Sequence, residues 1–216
     1  MLLKEVKARE IKDSRDESTI EIEINGCKAS SPSGKSKGKY ETPSYHKSLK
    51  WNIDFINKTK FNIEINRFEN LRKVEKYIEY KLHLKNAREF GANALFVLES
   101  AVLKALAKKQ KKELWQIVSE NRKITRMPIP AGNAIGGGLH SHNKDHPTFQ
   151  EFLLIPIGKS ARENIKIMNY IYKKLGKLLK SNTKNDEGAW QTSLNDEEIL
   201  IMLKKFKEIK IGLDCA

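Results

Sequence analysis

Residues 19–26 read Thr19-Ile20-Glu21-Ile22-Glu23-Ile24-Asn25-Gly26. Three isoleucines alternate with polar residues at a period of two, so one face is apolar and the other charged. That is the pattern of a half-buried antiparallel strand. Asn25-Gly26 suits the tight turn of a hairpin, and the next strand is expected to carry Cys27 and Ala29. Ser30 to Gly38 follows, too rich in Gly, Ser and Lys to pack, and reads as a loop. Residues 61–110 read as helical. Phe68, Leu71, Val74, Ile78 and Leu82 recur at three- and four-residue spacing. After Gly91 a second helix carries Leu95, Leu98, Val102 and Leu106, with small Ala94, Ala101 and Ala105 between them. It ends in the lysine cluster Lys108 to Lys112, well suited to a helix C-terminus. A meander of strands followed by a helical layer makes residues 1–125 an α+β unit.

The second half changes character. Met127-Pro128-Ile129-Pro130 is a proline-punctuated connector and marks a boundary, with a second unit over residues 126–216. Glu151-Phe152-Leu153-Leu154-Ile155-Pro156 reads as a short apolar strand. Ser160-Ala161-Arg162-Glu163 is a capping box that opens a helix through Ile167, Ile171, Leu175 and Leu178. Another helix begins near Asn195, with Glu198 at its third position, and carries Ile199, Met202, Leu203 and Phe206. Ile209 to Asp214 reads as a buried strand ending in an acid. The order strand–helix–helix–strand points to the beginning of an α/β sheet or barrel. No internal repeat of solenoid period is present.

Composition narrows the class. The chain has 216 residues, 39% hydrophobic and 31% charged, enough apolar material for a core, which excludes whole-chain disorder. No apolar stretch approaches 18 residues, so no membrane-spanning helix is expected. Met1-Leu2-Leu3-Lys4-Glu5 has none of the marks of a secretory signal. Cys27 and Cys215 make neither a disulfide framework nor a zinc pattern, and the cytoplasm is the expected location. Lys and Arg number 41 against 27 for Asp and Glu, a formal net charge of +14. Such a surface attracts polyanions or an acidic protein. The plainer reading is a solvated lysine surface, because the lysines are spread over several helices.

Four local features carry chemistry. In the loop of residues 33–38, serine hydroxyls, exposed amides and lysines suit a metal–phosphate ligand, although the same composition also makes an ordinary solvated loop. Its spacing is not that of a Walker loop. Gly136-Gly137-Gly138 precedes Leu139-His140-Ser141-His142. Three glycines let backbone approach a ligand closely, and a histidine after them contacts an anion or transfers a proton. His140, His142 and His146 mimic a metal cluster, but their spacing argues against zinc. Glu151 opens an apolar strand, where burial would raise its pKa. Glu187 lies in the turn Asn185-Asp186-Glu187-Gly188. Paired carboxylates do acid/base work, whereas a turn acid alone is usually solvated. Asp214 stands at the end of a strand, where barrel enzymes place catalytic groups and metal ligands, or else is a frayed terminal residue.

Taken in order, these features resemble enolase, the phosphopyruvate hydratase family. Ala8 to Arg15 is similar to the family's N-terminal signature, and Pro32 to Gly38 to its active-site loop. Gly91-Ala92-Asn93-Ala94 is similar to the start of a family helix. Pro128 through His140 resembles the stretch entering the barrel. Gln150-Glu151-Phe152, Asp186-Glu187-Gly188 and Leu213-Asp214 resemble further active-site segments. The resemblance implies magnesium as cofactor, with Asp214 on the first ion and Ser36 on the second. It implies that His140 and Glu151 contact 2-phosphoglycerate or its product phosphoenolpyruvate, and that Glu151 and Glu187 handle the leaving hydroxyl, with Glu187 as general acid. The chain departs from the family at Asp16, Glu17 and Ser18, at Lys35 and Lys37, and at Gly136.

Residues 127–216 are too few for the roughly 250 that a complete (β/α)8 barrel takes. The expected fold is therefore an α+β N-terminal domain, residues 1–125, followed by a partial α/β barrel of the enolase type, residues 126–216. The expected function is one half of a split enolase. A second chain would carry the C-terminal barrel half, with the family's lysine base and its other metal carboxylates. Dimerisation of that assembly stays open. The alternative is a catalytically inactive enolase-like binding or scaffold protein that contacts RNA or another polyanion through its lysines.

Overall fold

The computed structural model describes residues 1–31, 34, 38–119, 127–141 and 143–215. The chain divides into two compact units, Met1–Ile124 and Thr125–Ala216.

The first unit begins with an antiparallel sheet of three strands, β1 (Val6–Lys12), β2 (Ser18–Ile24) and β3 (Cys27–Ser31), in sequence order. Ile20, Ile22 and Ile24 of the central strand are fully buried, as their alternation requires. Asn25 and Gly26 take positive φ, 48° and 77°, and close the hairpin with Ile24 opposite Cys27. β1 is not foreseen from the sequence alone. Only Ala8 of its seven residues is buried, so it has almost no hydrophobic period, and its partner β2 defines it.

Helices α1 (Leu49–Lys58), α2 (Leu71–Leu82), α3 (Ala92–Gln110) and the short α4 (Leu114–Val118) complete this unit. The helical reading of residues 61–110 is corrected at its start. Phe61 and Ile65 are buried while Asn62 and Glu64 are exposed, a period of two, and Glu64 bridges to Leu2 in extended pairing. α1 was also not expected. Its signals are Ser48, whose hydroxyl caps the Trp51 N–H, and Asn52 and Ile56, buried one turn apart. α3 packs on β2 and β3, and its Ala94, Ala101 and Ala105 are at most 3% exposed, which brings helix and sheet close together. Backbone carbonyls of Pro43 and Ser44 accept the N–H groups of Ala92 and Asn93 at the helix start. Gly91 makes this contact feasible. Its φ is +104°, and a Cβ there would lie 2.4 Å from Tyr45 Cα.

The second unit is built on β4 (Gly132–Gly136), β5 (Glu151–Pro156) and β6 (Ile209–Asp214), in that order and antiparallel throughout. α5 (Ala161–Leu178) and α6 (Asp196–Leu203) join β5 to β6. Each helix reverses the chain, so one crossover helix returns a strand parallel and two return it antiparallel. Phe152, Leu154, Ile171, Leu175, Ile199 and Leu203 form the core of this unit. Ser160 caps α5 by accepting from the Glu163 N–H, and Asn195 and Glu198 form the reciprocal capping box of α6. β6 is less buried than its sequence suggests. Among the described residues it pairs only with β5, and its Leu213 is 38% exposed. The architecture is an α+β domain followed by a partial α/β barrel, with no closed barrel among the described residues.

One charge is buried at a cost in the first unit. Glu99 of α3 meets Glu75 of α2. Burial, then the charge of Glu75 and a hydrogen bond with it, push its pKa from 4.5 up to about 7. Glu75 is itself held by Arg72, and Glu99 Oε1 has no other partner among the described residues. A carboxyl raised in the folded state binds more protons folded than unfolded. Its contribution to stability is therefore greatest in acid, falls between about pH 4.5 and 7, and is flat above. Glu99→Gln removes that loss. Thermal melts of the variant and the parent should agree near pH 5 and separate towards pH 8, with the variant the more stable.

Candidate active site

β5 carries the core and the site on opposite faces. Phe152 and Leu154 are buried under the helices, which leaves Glu151 and Leu153 on the other side. Register places Asp214 of β6 and Gly136 of β4 opposite Glu151. The Gln150 N–H donates to the Asp214 carbonyl at 3.0 Å and holds the strands level beside the two acids. A bulge between Asn133 and Ile135 sets Asn133 opposite Leu153, on the face of Glu151.

Two loops complete the arrangement. After β4 the chain turns through a single 3-10 turn, Gly138–His140, that leaves His140 only 4% exposed. Two of the glycines here serve the chain's own packing. A Cβ on Gly137 would lie 2.4 Å from the Phe149 carbonyl, and one on Gly136 would lie 2.6 Å from Asn185 Nδ2. The second loop is the turn at Asn185–Gly188. Asn185 Oδ1 accepts from the N–H groups of Glu187 and Ala189, and the turn is joined to β4 where Gly136 N–H donates to the Trp190 carbonyl.

These elements bring His140, Glu151 and Glu187 together. His140 Nδ1 is 3.0 Å from Glu187 Oε2 and 3.9 Å from Glu151 Oε1. Asn133 Nδ2 donates to the same Glu187 oxygen at 3.4 Å. A carboxylate only accepts, so Nδ1 carries the proton towards Glu187. The other ring nitrogen, Nε2, is closed off from solvent and has no hydrogen-bond partner among the described residues, and the same holds for Asn133 Oδ1. Burial, then the charges of Glu187 and Asp214, raise the pKa of Glu151, and His140 partly opposes the rise.

One donor atom each from His140, Glu151 and Glu187 lies within 4.8 Å of the others, a group able to hold a metal ion. Asp214 adds a third carboxylate beside it. Three acids at one end of a sheet repel one another, and a divalent cation or a shared proton relieves that repulsion. Carboxylate oxygens suit a hard cation such as magnesium, which needs only one or two of them with water.

The structure thus gathers four of the five residues singled out from the sequence. Ser36 lies outside the described residues, as does His142. His146 is turned to the Pro147 carbonyl, away from any cluster with His140. Asn133 and Asn185 went unnoticed as site residues. The signal for Asn185 was the Asx turn in Asn185-Asp186-Glu187-Gly188. Asn133 had no signal, because its role depends on a bulge.

Two family models match the chain. Enolase, N-terminal domain, matches residues 3–118, and Enolase, C-terminal TIM barrel domain, matches residues 124–216. Between them they cover nearly its whole length.

The carboxyl pair is open to a direct titration. In Glu187→Gln the charge that raises Glu151 is gone, so NMR should find the Glu151 carboxyl titrating lower than in the parent chain. His140→Ala should move it higher. No movement in either variant would mean that these side chains do not meet in solution.

Proposed function

The chain belongs to the enolase family, and from that premise we propose that it supplies part of the active site of a phosphopyruvate hydratase. The reaction is the dehydration of 2-phosphoglycerate to phosphoenolpyruvate and water. The observation that carries this reading is the buried Nε2 of His140, without a partner among the described residues, beside two carboxyls of which Glu151 holds its proton more tightly than usual. A buried polar atom without a partner is costly, and an oxygen-rich substrate beside it relieves that cost.

In this reading Glu151 holds a proton that it shares with Glu187. Glu187, held by Asn133 and His140, passes it to the departing hydroxyl. The carbon–oxygen bond breaks, water leaves, and Glu187 remains as carboxylate. His140 steadies the phosphate-bearing end of the substrate. Asp214 and Ser36 hold magnesium ions, whose charge offsets what builds on the substrate carboxylate. The proton on the carbon next to that carboxylate goes to a base outside residues 1–216, on a second chain that carries the C-terminal barrel half.

The test is recovery of the tagged chain from native lysate, with partners identified by sequence, followed by assay of the complex with 2-phosphoglycerate and magnesium. A partner carrying barrel strands and a lysine base, together with phosphoenolpyruvate formation, is the expected result. Glu187→Gln should then lower kcat by about 100- to 10,000-fold, the usual worth of a general acid. An inactive preparation with no such partner would leave the chain as an enolase-like binding protein.

A further inference from the structure

A second site lies at the C-terminal end of α5, in the same unit but built from other residues. Lys173, Lys177 and Lys180 follow one another at four and three residues, so they share one stripe of the helix and its terminal turn. They line a groove of about 610 Å3, with Ser181, Asn182 and the edge of Trp190. No acidic residue lines it. Lys184 stands over the same aromatic floor, its Nζ 4.3 Å from the Trp190 ring centre and 5.0 Å from that of Tyr172.

The floor is rigid. Tyr172 and Trp190 stack at 5.3 Å, and the indole N–H donates to the Tyr172 carbonyl at 2.9 Å. Gly176 admits the ring to the helix, since a Cβ there would lie 2.4 Å from the indole. Glycine inside a helix is less favourable than alanine, so the packing of Trp190 here is won against helix propensity.

The lysines stand uncompensated. Lys28 and Lys76 elsewhere in the chain pair with glutamates. The three groove lysines and Lys184 are exposed, and among the described residues none has an acid within ion-pair distance. A solvated helix end explains one of them. The helix dipole favours cations only within the last turn, which accounts for Lys177 and not for Lys173 or Lys184.

We propose that this groove binds single-stranded nucleic acid, with successive phosphates on Lys173, Lys177, Lys180 and Lys184 and a base against the edge of Trp190. A cationic stripe beside an aromatic platform is the combination that suits an unpaired strand. A flexible strand brings phosphates to a stripe about 10 Å long, from the helical rise of 1.5 Å per residue, and offers an unstacked base. A duplex keeps its bases inside. The site is independent of the hydratase reading and shares no residue with it.

The test uses the full chain and a labelled 20-nucleotide single-stranded RNA, with binding followed by fluorescence anisotropy over a range of salt. Four phosphates neutralised at about 0.7 each give a slope of about −3 in log K against log salt. The variant Lys173→Gln/Lys177→Gln/Lys180→Gln should reduce that slope to about −1 and weaken binding about tenfold or more at 0.1 M salt. The control Lys58→Gln/Lys85→Gln/Lys109→Gln removes the same charge from exposed positions in the other unit. It should stay within about threefold of the parent, since none of the three lysines lines the groove. Circular dichroism checks that both variants fold. Equal losses in the two variants would overturn the proposal in favour of general charge attraction. So would equal affinity for inorganic polyphosphate or for the duplex, or no saturable binding by the parent.

Discussion

Everything in the second unit depends on the alternation of β5 and its pairing with β6. One strand buries Phe152 and Leu154 under two helices and turns Glu151 the other way. A slip of one residue would drive Glu151 into the apolar core and expose the phenylalanine, so core packing itself enforces the position of the acid. The same register sets Asp214 beside Glu151 without any contact between their side chains being needed to place them. The site is thus oriented by hydrophobic burial on the face opposite to it.

What burial places there is electrostatically unfavourable. Glu151, Glu187 and Asp214 gather like charges, and His140 offsets only part of them. The unpartnered His140 Nε2 and Asn133 Oδ1 add a cost of about 1–3 kcal/mol for each buried group left unsatisfied. The Asx turn at Asn185 and the bulge at Asn133 each hold a side chain towards the cluster through a backbone constraint. That balance, folding energy held against local repulsion, is what a site for a cation and an anionic substrate needs.

Glu75 and Glu99 show the same chemistry put to a different use. They also meet at a half-buried position, but on two packed helices with Arg72 alongside and no histidine. Other acids meet lysine or arginine at the surface, as Glu21 does with Arg9 and Lys28. Cations remain in excess over the chain, and three of them line the α5 groove beside Trp190.

The sequence by itself determined what rests on neighbours within a turn or a strand. The isoleucine alternation of β2, the Asn25-Gly26 hairpin, the caps at Ser160 and Asn195 and the apolar run of β5 all depend on residues at most four positions apart, and their periods are written in the chain. Motif order carried the family resemblance and with it Glu151, Glu187, His140 and Asp214. Only the tertiary structure decided the rest. β1 exists through its pairing with the next strand and the extended stretch at 61–65 through Leu2, far away in sequence, and the glycine triplet packs against the loop that leads into β5 and against Asn185. His140 and Glu187 stand 47 residues apart, and Asn133 and Glu187 stand 54 apart. A bond over that separation has no local period, because chain packing and not sequence spacing sets the distance between its ends.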